Sequence, residues 1–107
     1  MSSKLYTLDN TFIDNALQTP PKFTGIVENT FGSRFWFLNG VLHREDGPAH
    51  INFNNTNHWY FGGKTHRIDG PAVEWFNGEK EWWVDGNQIT EEQCKLLYDL
   101  MKLKGLL

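Results

Sequence analysis

A 23-residue period runs through the middle of the chain and constrains its fold more than any other feature. Trp36-Phe37-Leu38-Asn39-Gly40, Trp59-Tyr60-Phe61-Gly62-Gly63 and Trp82-Trp83-Val84-Asp85-Gly86 follow one another at that spacing without a gap. His43-Arg44-Glu45-Asp46-Gly47-Pro48-Ala49 returns at the same offset as His66-Arg67-Ile68-Asp69-Gly70-Pro71-Ala72, changed only at its third place. More faintly, Gly25-Ile26-Val27-Glu28 falls two periods before Pro71-Ala72-Val73-Glu74, and Gly32 aligns with Asn55 and Gly78. A repeat of this length is one supersecondary unit that cannot bury its apolar face alone, so neighbouring units stack. The 107 residues are too few to divide into independently stable halves. The expectation is one domain, 1–107: an N-terminal segment over 1–21, roughly three units over 22–89 with the outer ones incomplete, and a C-terminal segment over 90–105.

Each unit reads as a hairpin and a return. Ala49 to Phe53 and His58 to Phe61 are strand-like and joined by Asn54-Asn55-Thr56-Asn57; Val73 to Phe76 joins Glu79 to Val84 through Asn77-Gly78. Asn-Gly between β-prone runs predicts a type I′ turn, with positive φ at both central residues. The return runs from Asn39-Gly40 to Gly47-Pro48 and again from Gly62-Gly63 to Gly70-Pro71, with Gly and Pro supplying turn geometry. The fold class expected is mainly β (α+β), an antiparallel meander of about six strands.

The two ends carry helical spacing instead. Leu8, Phe12, Ile13, Ala16 and Leu17 predict a short helix within Thr7 to Gln18, stopped by Pro20-Pro21. Thr90-Glu91-Glu92-Gln93 is a capping-box pattern, followed by Leu96, Leu97, Leu100, Met101 and Leu103 and closed by Gly105. That second helix is expected to cap the last unit, whose sheet edge would otherwise lie open.

A net charge of -3 argues against wrapping duplex nucleic acid. One cysteine cannot form an internal disulfide, and no basic start precedes an apolar stretch. The expectation is therefore a cytoplasmic protein with no membrane segment. Cys94 stands among apolar helical neighbours and reads as a small core residue rather than a reactive thiol.

The run W-[FYW]-x-[NGD]-G followed by Leu42-His43-Arg44-Glu45-Asp46-Gly47-Pro48-Ala49 resembles a MORN-like repeat family abundant in bacteriophage and giant-virus genomes. The close at Asp85-Gly86-Asn87-Gln88-Ile89-Thr90 is similar to that family's usual ending, where the last unit passes into a helix. The resemblance covers about two thirds of the chain and implies a β-hairpin array used for binding in the host cytoplasm. It names no substrate. The Tyr-x-Gly pattern of true MORN repeats is absent, so their membrane associations are not implied.

Positions identical between units serve every unit, whereas deviating ones can encode something specific. Trp36, Trp59 and Trp82, with Leu38, Phe61 and Val84 two residues on, share one face, read as core. Phe37, Tyr60 and Trp83 then form a second aromatic column opposite, near Val73, Trp75, His50 and Asn52. Either the terminal helices cover that column, or it is a partner-binding surface of Trp75, Trp83, Tyr60 and Phe37. Trp75 stands where other units have Asn52 and Asn29. His43, His66, Arg44 and Arg67 are candidates for ligand or anion binding, and with Asp46 and Asp69 they are also of the types that ligate metals or serve hydrolysis. The alternative is structural: Asp holds turn amides, Arg pairs with the next unit's acid and His bonds a carbonyl. No phosphate loop, zinc spacing or nucleophile motif is present, so no metal, cofactor or catalytic residue is expected. The leading expectation is a non-enzymatic accessory protein that docks on a host protein and inhibits or redirects it. A sponge for a small nucleotide ligand and a purely structural, homo-oligomerising module are the alternatives.

Overall fold

The computed structural model describes residues 22–107, together with the strand segments Lys4–Tyr6 (β1) and Phe12–Ile13 (β2). The chain continues as β3 (Gly25–Glu28), β4 (Arg34–Leu38), β5 (Val41–Leu42), β6 (His50–Ile51), β7 (Asn57–His58), β8 (Tyr60–Phe61), β9 (Lys64–Thr65), β10 (Val73–Glu74), β11 (Lys80–Val84), β12 (Asn87–Ile89) and helix α1 (Glu91–Leu103). The principal sheet runs β12-β11-β10-β7-β6-β4-β3-β1-β2, with β5 paired to β4, and β8 and β9 form a separate ribbon. All these pairings are antiparallel.

Strands thus exceed the expected six, because each return contributes a short ladder of its own beside the main hairpin. The N-terminal helix expected over Thr7 to Gln18 falls mostly outside the described residues; Phe12 and Ile13, within that span, pair as strand with Tyr6 and Leu5.

The two turn types are distributed differently from the sequence expectation. Both central residues are left-handed at Asn39-Gly40 (φ 49 and 83), Gly62-Gly63 (59 and 83) and Asp85-Gly86 (50 and 78). These returns are the sites with type I′ geometry, whose twist matches that of the flanking strands. Asn77-Gly78, expected to be one, is not: Gly78 has φ 89, but Asn77 is not left-handed. Trp75 N–H donates to Glu79 C=O and Gly78 N–H to Trp75 C=O. The same pair of bonds recurs at Asn52/Thr56 with Asn55, and at Asn29/Ser33 with Gly32. This is the longer hairpin loop, in which a type I turn is followed by one left-handed residue. The asparagine side chain at 77 instead accepts the Glu79 amide, an Asx bond that holds the turn locally.

Successive units are joined by bonds that repeat with the sequence. Trp36 N–H donates to Ala49 C=O and Trp59 N–H to Ala72 C=O, both at 2.7 Å. Both alanines are completely buried. The Arg44 guanidinium lies 4.2 Å above the Trp36 ring and that of Arg67 4.0 Å above Trp59. Each is pinned there by its own motif. Arg44 Nε donates to Asp46 and Nη1 to Pro48 C=O; Arg67 does the same to Asp69 and Pro71. Gly47 and Gly70 are required by that arrangement, since a Cβ would stand 2.9 and 2.8 Å from the respective guanidinium carbon.

Arg67 also reaches the next hairpin's acid, with Nη1 3.9 Å from Glu74, whereas the expectation that Asp accepts turn amides is corrected. Histidine performs the amide-accepting role: His43 Nδ1 accepts from Gly62 N–H, and His66 Nδ1 from Asp85 N–H, each in the next unit. A second inter-unit bond comes from hydroxyls. Ser33 Oγ accepts from Phe53 N–H and Thr56 Oγ1 from Phe76 N–H, and both residues are buried.

The tryptophans at 36, 59 and 82 are half-buried rather than core. Among the described residues the buried apolar side chains are Phe23, Ala49, Ala72, Val73 and Cys94, and the inter-unit hydrogen bonds and Arg–Trp stacks add to this small core.

Helix α1 begins where the third Arg would fall: position 90, one period after Arg67, is Thr90, and it is the N-cap. Its hydroxyl accepts from Gln93 N–H while Gln93 Oε1 accepts from Thr90 N–H, completing the expected capping box. The helix turns Cys94, Leu97, Tyr98 and Met101 inward and leaves Leu96, Leu100 and Leu103 exposed. The buried Cys94 thiol lies 3.4 Å from Ile68 C=O, tying the helix to the second unit's return. Burial, together with Asp69, raises the Cys94 pKa, which keeps the thiol protonated. Trp82 and the helix line one open groove of about 700 Å³ with Ile68, Pro71, Cys94 and Tyr98. Helix α1 therefore packs on the tryptophan–arginine side, at Trp82, and not on the second aromatic column as one of the sequence alternatives held.

Candidate functional site

Directly paired residues in an antiparallel ladder point to the same face. The register therefore aligns a single row across the sheet: Val27 opposite Phe35, Phe35 opposite His50, His50 opposite His58, His58 opposite Val73, and Val73 opposite Glu81. Most of this row varies from unit to unit. The position before each invariant tryptophan is Phe35, His58 and Glu81 in the three units, and its cross-strand neighbours are Val27, His50 and Val73. The invariant tryptophans and the His-Arg-x-Asp motifs lie on the Trp–Arg face, and the position before each tryptophan, which differs in every unit, lies on the other.

The side chains of this variable face touch in sequence. Phe35 and His50 stack with ring centroids 4.3 Å apart at 14°, and His50 and His58 at 5.1 Å and the same angle. Trp75 meets His58 edge-on at 5.9 Å, and Tyr60 lies 6.4 Å from it. Trp75 Nε1 donates to Glu81 Oε2 at 2.6 Å and Trp83 Nε1 to Glu81 Oε1 at 2.9 Å. One carboxylate thereby fixes both tryptophans. Burial, reinforced by the facing His58, lowers the pKa of His50. Burial also lowers that of His58, partly offset by Glu81. Both imidazoles are thus neutral at pH 7.

Of the residues expected to bind a partner, Trp75, Trp83 and Tyr60 meet around His58 and Glu81. Phe37 stands apart, its ring edge-on to Phe23 at 6.2 Å. Trp75 is 38% exposed and Tyr60 and Trp83 are half-buried. Sequence reasoning missed Phe35, His58 and Glu81, although their variation beside an invariant tryptophan was the available signal.

The residues expected to bind a ligand or anion lie on the opposite side. Arg44 and Arg67 each commit Nε and Nη1 to their own motif, on Asp46 and Pro48 or Asp69 and Pro71, and His43 and His66 use Nδ1 on the next unit's turn. An open groove of about 570 Å³ runs between the two motifs, lined by Arg44, Asp46, Trp59, His66, Arg67 and Asp69 among others. Among the described residues, no group of three or more His, Cys, Asp or Glu side chains is arranged to hold a metal ion. No helix among them is long and apolar enough to cross a membrane.

No protein-family model, curated protein or solved structure matches the chain.

Proposed function

We propose that the chain is a non-enzymatic binding protein, an accessory protein of the phage type, which docks the variable face of its sheet on a host protein and inhibits or redirects it. The observation that carries this reading is the segregation of the repeat. The invariant tryptophans and the His-Arg-x-Asp motifs have structural tasks on one face, while Phe35, His50, His58, Tyr60, Trp75 and Trp83, at positions that differ between units, assemble a contiguous strip on the other. Aromatic side chains with polar edges are the groups that dominate protein interfaces, since they bury large area at low entropic cost. The Arg–Trp stacks and His–amide bonds support a scaffolding role for the His-Arg-x-Asp motifs, which leaves the strip as the part free to specialise.

The test is an affinity capture from a bacterial lysate with the intact chain, Trp75→Ala, Trp83→Ala and, as a control on the opposite face, Phe61→Ala. The reading expects a discrete partner retained by the intact chain and by Phe61→Ala, and lost with either tryptophan. Capture of nothing specific, or a partner indifferent to both tryptophans, would overturn it.

A further inference from the structure

Glu81 is the one carboxylate in the row, and both of its oxygens already accept an indole N–H. A carboxylate has about four acceptor sites, so one remains on each oxygen. Its charge is not balanced within the described residues. Their ion pairs employ Glu28, Glu45, Asp46, Asp69, Glu74, Asp85 and Glu91, and the imidazole nearest to Glu81 is His58, which burial keeps neutral. A half-buried carboxylate with spare lone pairs, held between two tryptophans, favours a cation over any other ligand.

The protein's own chemistry narrows which cation. Twice on the opposite face it assembles the same three parts: a tryptophan ring, a carboxylate and a guanidinium that stacks on the first while donating Nε to the second, as in Trp36/Asp46/Arg44 and Trp59/Asp69/Arg67. Trp75, Trp83 and Glu81 provide the ring and the carboxylate. A planar fork suits one free lone pair on each oxygen and a flat aromatic neighbour, whereas an ammonium presents a more strongly hydrated point charge.

We infer that Trp75, Glu81 and Trp83 form a receptor for an arginine side chain presented by the docking partner. This rests on the proposed docking face and names the chemistry that the partner brings to it. The two tryptophans are fixed by Glu81 before binding, so little rotamer entropy is lost on contact. Glu81 sits at one end of the strip, and the stacked Phe35/His50/His58 rings beside it offer apolar contact for the residues flanking that arginine.

The test follows the indole N–H resonances of Trp75 and Trp83 in the intact protein during titration with a capped glycine-arginine-glycine peptide, and separately with its citrulline counterpart, which keeps the shape and removes the charge. The arginine peptide is expected to shift both indoles at millimolar concentration, the citrulline peptide to leave them in place, and Glu81→Gln to weaken binding roughly tenfold or more. Equal response to both peptides, or no response to either, overturns the inference, and these two outcomes need no variant. The docking face is judged separately: a captured partner lost on Trp75→Ala but retained by Glu81→Gln keeps the face and overturns the arginine.

Discussion

The tightest contact in the repeat, Gly70 under the Arg67 guanidinium, makes a quantitative prediction. A methyl at Gly70 would stand 2.8 Å from Cζ and 3.0 Å from Nε and Nη2, whereas ordinary contact begins near 3.4 Å. The guanidinium must then lift away, and it cannot do so without leaving Trp59 and Pro71 C=O. Loss of a partly desolvated cation–π stack costs about 1–2 kcal/mol. Loss of the bond to Pro71 adds about 1 kcal/mol. The Asp69 pair, with an exposed carboxylate, adds little. Partial relief reduces the total, so Gly70→Ala should cost about 2 kcal/mol. Gly70 is not left-handed, so alanine meets no backbone penalty. Once Arg67→Ala removes the obstruction, the same change should be neutral or stabilising by about 0.5 kcal/mol through the unfolded chain. Urea denaturation of the intact chain, both single variants and the double variant measures this, and a coupling of about 2 kcal/mol is expected between the two sites. If Gly70→Ala costs the same in both backgrounds within about 0.5 kcal/mol, the claim that glycine is present to seat the arginine is wrong.

Three further outcomes are expected. Thr56→Val removes the buried hydroxyl that accepts the Phe76 amide and should cost about 1–2 kcal/mol in chemical denaturation, with Thr56→Ser close to the parent. Gly63→Ala places a Cβ at φ 83 with only ordinary contact to Val41, so its loss of about 1–2 kcal/mol in the same assay is a backbone cost. His50 and His58 have lowered folded pKa values, so the unfolded chain binds protons first as pH falls below about 6.5. Their contribution to stability is complete above that pH and is lost as pH falls through the folded values. The thermal midpoint should drop between pH 7 and 5, His50→Phe should flatten the drop, and Glu81→Gln, which removes the one charge that raises the His58 pKa, should steepen it.

The period determined that hairpins stack side by side, and the capping-box pattern that Thr90 caps a terminal helix, because each of these depends on local spacing and turn chemistry. The left-handed pairs at Asn39-Gly40, Gly62-Gly63 and Asp85-Gly86 were marked by glycine, but the geometry at Asn77-Gly78 depended on how many residues the ladder leaves unpaired, which only strand register sets. Trp75 and Trp83 stood out as departures from the repeat. His58 and Glu81 did not, since a histidine and a glutamate beside an invariant tryptophan look like ordinary surface variation until a partner strand is laid against each. Tertiary structure decided which face α1 covers, turned His43 and His66 into acceptors for the next unit's amides, and lined up Phe35, His50, His58 and Glu81 in one row. Those outcomes rest on pairings between strands distant in sequence, and in a sheet a single residue of register carries a side chain from one face to the other.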